Sequence, residues 1–113
     1  MPGEFFKMVH ALVMAIPPGR VMTYGSIAAF LGKPGASRIV VYALRKTPSG
    51  VEIPWHRVVG AGGRIPPRRS FEDADDHLLQ ESMLRSEGVP FTAGGKVDLD
   101  QCLWKPGEDP LLP

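Results

Sequence analysis

The sequence predicts a mainly α domain with a small β wing. Three observations carry that expectation. Apolar residues recur at helical spacing near the N-terminus, Gly and Pro clusters cut the chain into element-sized pieces, and one glycine-rich stretch separates two short apolar runs. At 113 residues and 43% hydrophobic, the chain can bury one modest core and is too short to divide into two independent domains. One domain over residues 1–106 is expected, followed by a Pro-rich tail over 107–113.

Phe5, Phe6, Val9, Leu12, Val13 and Ile16 recur three and four residues apart, so residues 4–16 read as an amphipathic helix that Pro17-Pro18-Gly19 ends. After Val21-Met22-Thr23-Tyr24-Gly25, Ser26 is the expected N-cap of a short helix over 27–31, and Gly32 is its natural stop. Lys33-Pro34-Gly35 forms a turn, and 36–46 has helical length before Thr47-Pro48-Ser49-Gly50 breaks it. Short helix, tight turn and second helix make a helix-turn-helix. Val58-Val59 and Arg64-Ile65, joined by Gly60-Ala61-Gly62-Gly63, are expected to pair as two short strands and form the wing.

Pro66-Pro67-Arg68-Arg69-Ser70 is a stiff, basic connection, because proline restricts φ and removes backbone donors. Glu72, Asp73, Asp75 and Asp76 crowd the start of a further helix with apolar positions Ala74, Leu78 and Leu84. Arg85 complements its far end and Gly88 stops it. A strand over 97–99 is expected next, then a mobile tail beyond Trp104.

Composition excludes several classes of function. Apolar stretches end well before the ~20 residues a membrane span needs, and the first residues lack the pattern of a secretory leader. An intracellular protein without membrane association is expected: cytoplasm or nucleoid in a bacterium, nucleus in a eukaryote. The single cysteine, Cys102, leaves no disulfide framework and too little sulfur for structural zinc. No Ser-His-Asp motif, metal cluster or phosphate loop is present, so no metal or cofactor is expected.

The net charge of +1 hides a division. Residues 1–71 hold ten Lys/Arg against two acids, +8, whereas 72–113 hold three against ten, −7. Such a split suits a protein whose first two thirds meet a polyanion, the remainder facing solvent or another partner. Scattered, solvated charge is the alternative.

Pro54-Trp55-His56-Arg57-Val58-Val59, taken with Ile16-Pro17-Pro18-Gly19-Arg20-Val21-Met22-Thr23-Tyr24-Gly25 and Ser86-Glu87-Gly88, resembles the C-terminal domain of O6-alkylguanine-DNA alkyltransferases. Those enzymes carry Pro-Cys-His-Arg-Val at their active-site segment. Tryptophan in place of that cysteine resembles the alkyltransferase-like proteins, as does Leu103-Trp104-Lys105-Pro106 near the end. The likeness runs over residues 5–106, and several ordered motifs at matching spacing make it specific.

The resemblance implies a winged-helix-like DNA-binding domain that enters the minor groove, turns a modified guanine out of the stack and holds it in a pocket. Arg38 matches the arginine that fills the space left in the duplex, and Tyr24 the tyrosine that helps rotate the phosphate. Thr23, Ala36, Ser37 and Arg45 match DNA-facing positions, Arg45 as a phosphate contact. Tyr24, Trp55, Val58 and Arg68 match the lesion pocket. Arg68 sets a cation against the base, with a phosphate contact as the alternative, as for Arg69.

Trp55 decides the chemistry. A thiolate can attack an alkyl carbon, whereas an indole has no comparable nucleophile, so no catalytic residue is expected. An indole can instead stack on a purine for about 1 to 3 kcal/mol; an ordinary core tryptophan is the alternative. His56 and Glu87 match the pair that would activate the missing cysteine, and they remain as structural polar partners. Cys102 lacks a histidine neighbour and reads as a small buried hydrophobe.

The chain departs from true alkyltransferases elsewhere too. Thr47 replaces an asparagine that braces the active-site loop, and 66–70 replaces a Gly-Tyr-x-Gly-Gly closure, which implies a wider, more basic pocket. The partners implied are double-stranded DNA containing O6-alkylguanine and nucleotide excision repair proteins, with the acidic part after residue 71 as a docking face and the protein a monomer. Two competing classes are an enzyme using another acceptor or His56 as base, and a regulator that reads sequence in the major groove.

Overall fold

The computed structural model describes residues 2–46, 52–65 and 76–107. The expectations for Thr47, for the connection bearing Arg68 and Arg69, for Glu72, Asp73, Ala74 and Asp75, for the side chains of Asp76 and Leu78, and for the tail from residue 108 lie outside them.

Helix α1 spans Pro2–Ala15 and buries Phe5, Val9, Leu12 and Val13, the stripe its spacing foretells, with Ile16 buried just beyond. After the Pro-Pro-Gly turn come strand β1, Met22–Thr23, and helix α2, Tyr24–Phe30. The expected N-cap, Ser26, is corrected to Thr23. Thr23 Oγ1 accepts from the Ser26 N–H at 2.9 Å while Ser26 Oγ accepts from the Thr23 N–H at 2.9 Å, so Ser26 is the third residue of a capping box. The reciprocal pair satisfies two otherwise orphaned donors, which is why the helix starts three residues earlier. Thr23→Ala is expected to lower stability by ~1 kcal/mol, read as a shift of the urea midpoint with unchanged slope.

Gly32, at φ 81°, ends α2 as expected, its N–H donating to the Ala29 carbonyl. Helix α3, Ser37–Arg45, lies within the foreseen 36–46, with Ala36 and Lys46 as its caps. The remaining elements are a 3-10 turn at Trp55–Arg57, strand β2 at Val58–Val59, a second 3-10 turn at Ala61–Gly63, helix α4 at Asp76–Ser86 and helix α5 at Leu99–Cys102. Gly88, at φ 83°, closes the end of α4.

The hairpin wing is corrected. Val58-Val59 does not pair with Arg64-Ile65; β2 pairs in parallel with β1, Met22 against Val58 and Thr23 against Val59. The glycine-rich link tightens into its own turn, where the Gly60 N–H donates to the Arg64 carbonyl at 2.7 Å. Gly63, at φ +89°, lies so close to the Val97 carbonyl that a Cβ there would collide with it, and the Val97 N–H donates to Gly63 O at 2.9 Å. The strand expected over 97–99 is likewise corrected: Val97 makes a single antiparallel bridge to Phe91, and Leu99 opens α5.

Successive strand residues point to opposite faces, so the small sheet divides two cores. Met22 and Val58 join α1, α2 and α3 in the main core, which Trp104 also enters. Val21 and Val59 join Ile65, Leu84, Val89, Val97 and Cys102 in the second. The C-terminal segment locks onto the sheet beside Val21, whose N–H donates to Cys102 O at 3.0 Å and whose carbonyl accepts from the Trp104 N–H at 2.7 Å. The architecture is mostly helical with one small sheet, the class the sequence predicts.

Candidate nucleic-acid interface

Helix α3 presents its charge outward because its apolar positions point in. Val40 and Ala43 are fully buried, whereas Arg38, Ile39, Tyr42 and Arg45 are exposed. Arg38, Tyr42 and Arg45 fall three and four residues apart and form one stripe, continued by exposed Lys46. The inner side is tied down by His10 of α1, whose Nε2 donates to the Ala43 carbonyl at 2.7 Å. That carbonyl only accepts, so the proton sits on Nε2.

Ala36 and Ser37 are half-buried at the start of α3, and Tyr24, first residue of α2, packs half-buried against the main core. The Thr23 hydroxyl is engaged in the capping box. Helix, turn and helix thus bring Thr23, Tyr24, Ala36, Ser37, Arg38 and Arg45 onto one supersecondary unit.

A second group gathers around Glu87, in the turn after α4. Arg57 grips its carboxylate with two bonds, Nε to Oε1 at 3.0 Å and Nη2 to Oε2 at 2.7 Å, and spends Nη1 on the Ile16 carbonyl at 2.9 Å. His56 Nε2 donates to Glu87 Oε2 at 2.9 Å. The side chains are 15%, 7% and 17% exposed for Arg57, His56 and Glu87, so little water screens the charges. The Arg57 guanidinium first, and His56 after it, hold the Glu87 carboxyl at about 2 against the usual 4.5, outweighing the opposing effect of burial.

Gln80 of α4, 1% exposed, donates its Nε2 to the carbonyls of His56 at 3.1 Å and Val58 at 2.9 Å. The turn that carries Trp55 is therefore pinned through both the side chain and the backbone of His56. The Trp55 ring is half-buried and stands edge-on to the His56 ring, with centroids 6.1 Å apart and planes at 84°. The structure unites His56 with Glu87 as foreseen. It places the Val58 side chain, 0% exposed, wholly inside the main core. Arg68 lies outside the described residues.

Sequence reading overlooked Arg57 and Gln80. Arg57 was visible as the one cation inside the mostly apolar run 53–59, and Gln80 as a polar residue one turn before buried Leu84 on the inner side of α4. Cys102 belongs to the second core at 1% exposure, its Sγ donating to the Asp98 carbonyl at 3.2 Å. Burial, and then the Asp98 charge, push its thiol up to about 11. Among the described residues no three His, Cys, Asp or Glu side chains gather as a metal site, and no helix is long and apolar enough to cross a membrane.

Residues 4–89, which include the helix-turn-helix, the Trp55 turn and Glu87, match the family described as 6-O-methylguanine DNA methyltransferase, DNA binding domain. The chain belongs to that family. Within this methyltransferase DNA-binding-domain family it is similar to the DNA base-flipping protein of Vibrio parahaemolyticus, 36% identical over 103 residues that cover 91% of this chain and 98% of the relative. It is also similar to alkyltransferase-like protein 1 of Schizosaccharomyces pombe, 36% identical over 107 residues that cover 91% and 96%. A crystal structure of the Schizosaccharomyces pombe protein with damaged DNA containing O6-carboxymethylguanine superimposes with a TM-score of 0.75 at 35% identity, covering 92% of this chain and 97% of that one.

Proposed function

We propose that the protein binds duplex DNA containing O6-alkylguanine, rotates the damaged base into a pocket beside Trp55, leaves the alkyl group in place and flags the site for nucleotide excision repair proteins. The observation that carries this reading is the indole of Trp55 beside the His56–Glu87 pair. The chain has one cysteine, and Cys102 is buried in the second core with its thiol held near 11. The segment next to His56 and Glu87 presents an indole instead. Relatives named for base flipping, and a similar structure with damaged DNA, support the same reading.

In this mechanism α3 lies in the minor groove. Small Ala36 and Ser37 admit the backbone, Arg38 fills the gap left by the departed base, and Arg45 holds a phosphate. Tyr24, beside the Thr23 cap, crowds the rotating phosphate. Trp55 stacks on the extruded purine for about 1 to 3 kcal/mol, with Arg68 against its face and Val58 supporting the turn from behind. His56 and Glu87 orient the Trp55 turn rather than activate a thiol. The binding unit is residues 1–106, acting as a monomer inside the cell, and the acidic part after residue 71 is the face offered to repair proteins.

Matched duplexes with and without O6-methylguanine test this, run beside mass spectrometry of the protein after prolonged incubation. Tighter binding to the lesion duplex and an unchanged protein mass are expected. A protein species heavier by one methyl group, in stoichiometric yield, would falsify the reading.

A further inference from the structure

Phe6, Tyr42 and Lys46 form a row across α1 and α3. The Phe6 and Tyr42 rings meet with centroids 5.6 Å apart and planes at 59°, and the Lys46 ammonium lies 5.3 Å from the centre of the Tyr42 ring. Phe6 packs against the main core, so the row has a fixed base. Tyr42 is 52% exposed, although a ring of its size has ample apolar surface to bury. It sits four residues after Arg38 and three before Arg45, in the middle of the basic stripe of α3.

A lysine on a bare surface must give up much rotamer freedom to hold one phosphate. A ring beneath the ammonium removes part of that freedom in advance, because the cation is drawn to the electron-rich ring within ~6 Å. The phenol adds a hydroxyl, a donor suited to backbone oxygens and indifferent to base identity. We infer that the Phe6–Tyr42–Lys46 row is a preformed clamp for a DNA backbone phosphate, with the Tyr42 hydroxyl and the Lys46 ammonium donating to the same phosphate. This rests on the DNA-binding reading above. The clamp acts on damaged and undamaged duplex alike, since neither donor addresses a base.

The test is fluorescence anisotropy with an unmodified and an O6-methylguanine duplex over a range of salt, using the unaltered protein, Tyr42→Phe, Tyr42→Ala, Lys46→Gln and the double variant Tyr42→Ala/Lys46→Gln. Lys46→Gln is expected to weaken both duplexes alike and to flatten the slope of log affinity against log salt by about 1. Tyr42→Phe keeps the ring and therefore the slope, but loses roughly three- to tenfold in affinity on both duplexes. Tyr42→Ala loses affinity and part of the slope, and the double variant is weakened by less than the product of the single losses.

Unchanged affinity in both Tyr42 variants, or strictly multiplicative losses in the double variant, overturns the clamp while leaving DNA binding intact. Should Tyr42→Ala fail to fold, Tyr42→Phe and Lys46→Gln decide the matter, and no loss in either overturns the clamp. Failure of the unaltered protein to bind either duplex overturns the DNA reading and this inference together.

Discussion

Glu87→Gln is expected to lower the stability of the fold by about 3 kcal/mol at neutral pH, in the range for breaking a buried ion pair by removing one partner. The substitution keeps the shape and removes the charge, leaving the Arg57 guanidinium, 15% exposed, without its carboxylate. The pH dependence follows from the same cause. Folding lowers the Glu87 carboxyl from 4.5 to about 2, so the native state holds the ionised form more tightly than the unfolded chain does. The resulting stability is complete above the unfolded value of 4.5 and is lost as pH falls through about 2. Urea denaturation at a series of pH values is the measurement. The two proteins should differ most above pH 4.5 and converge only as the pH falls below about 2, where the natural carboxyl becomes neutral in the folded protein as well. Equal midpoints at pH 7 would show that the pair contributes nothing.

Arg38→Ala is expected to abolish most of the preference for damaged DNA. Arg38 is exposed near the start of α3, and its proposed task arises only once a base has left the stack. Losing a charged side chain that hydrogen-bonds an orphaned base weakens the lesion complex on the order of 10- to 100-fold, with a much smaller effect on unmodified duplex. Arg45→Ala is the control. A lost phosphate contact weakens both duplexes similarly and lowers the salt slope by about 1. Titrations of both variants against both duplexes make the comparison, and equal losses for Arg38→Ala on the two duplexes would remove the reason for assigning it to base extrusion.

Local spacing by itself determined helices α1 to α4, the turn between α2 and α3 and the part of the main core that α1 supplies, but not helix α5. Each is encoded by residues within a few positions of one another: the α1 stripe, the stop at Gly32, the helical length of 36–46. The partnership of His56 with Glu87 was legible only through the resemblance, since nothing in the spacing of two residues 31 positions apart brings them together. Only the tertiary structure decided that Val58-Val59 pairs with Met22-Thr23 instead of the nearer Arg64-Ile65, because strands of two residues carry no periodic signal. The same holds for the close approach of Gly63 to Val97, and for Arg57 and Gln80 as the side chains that pin the Trp55 turn. A buried donor must find whichever acceptor the packed helices bring within reach. That geometry exists only after the two cores have formed on either side of the sheet.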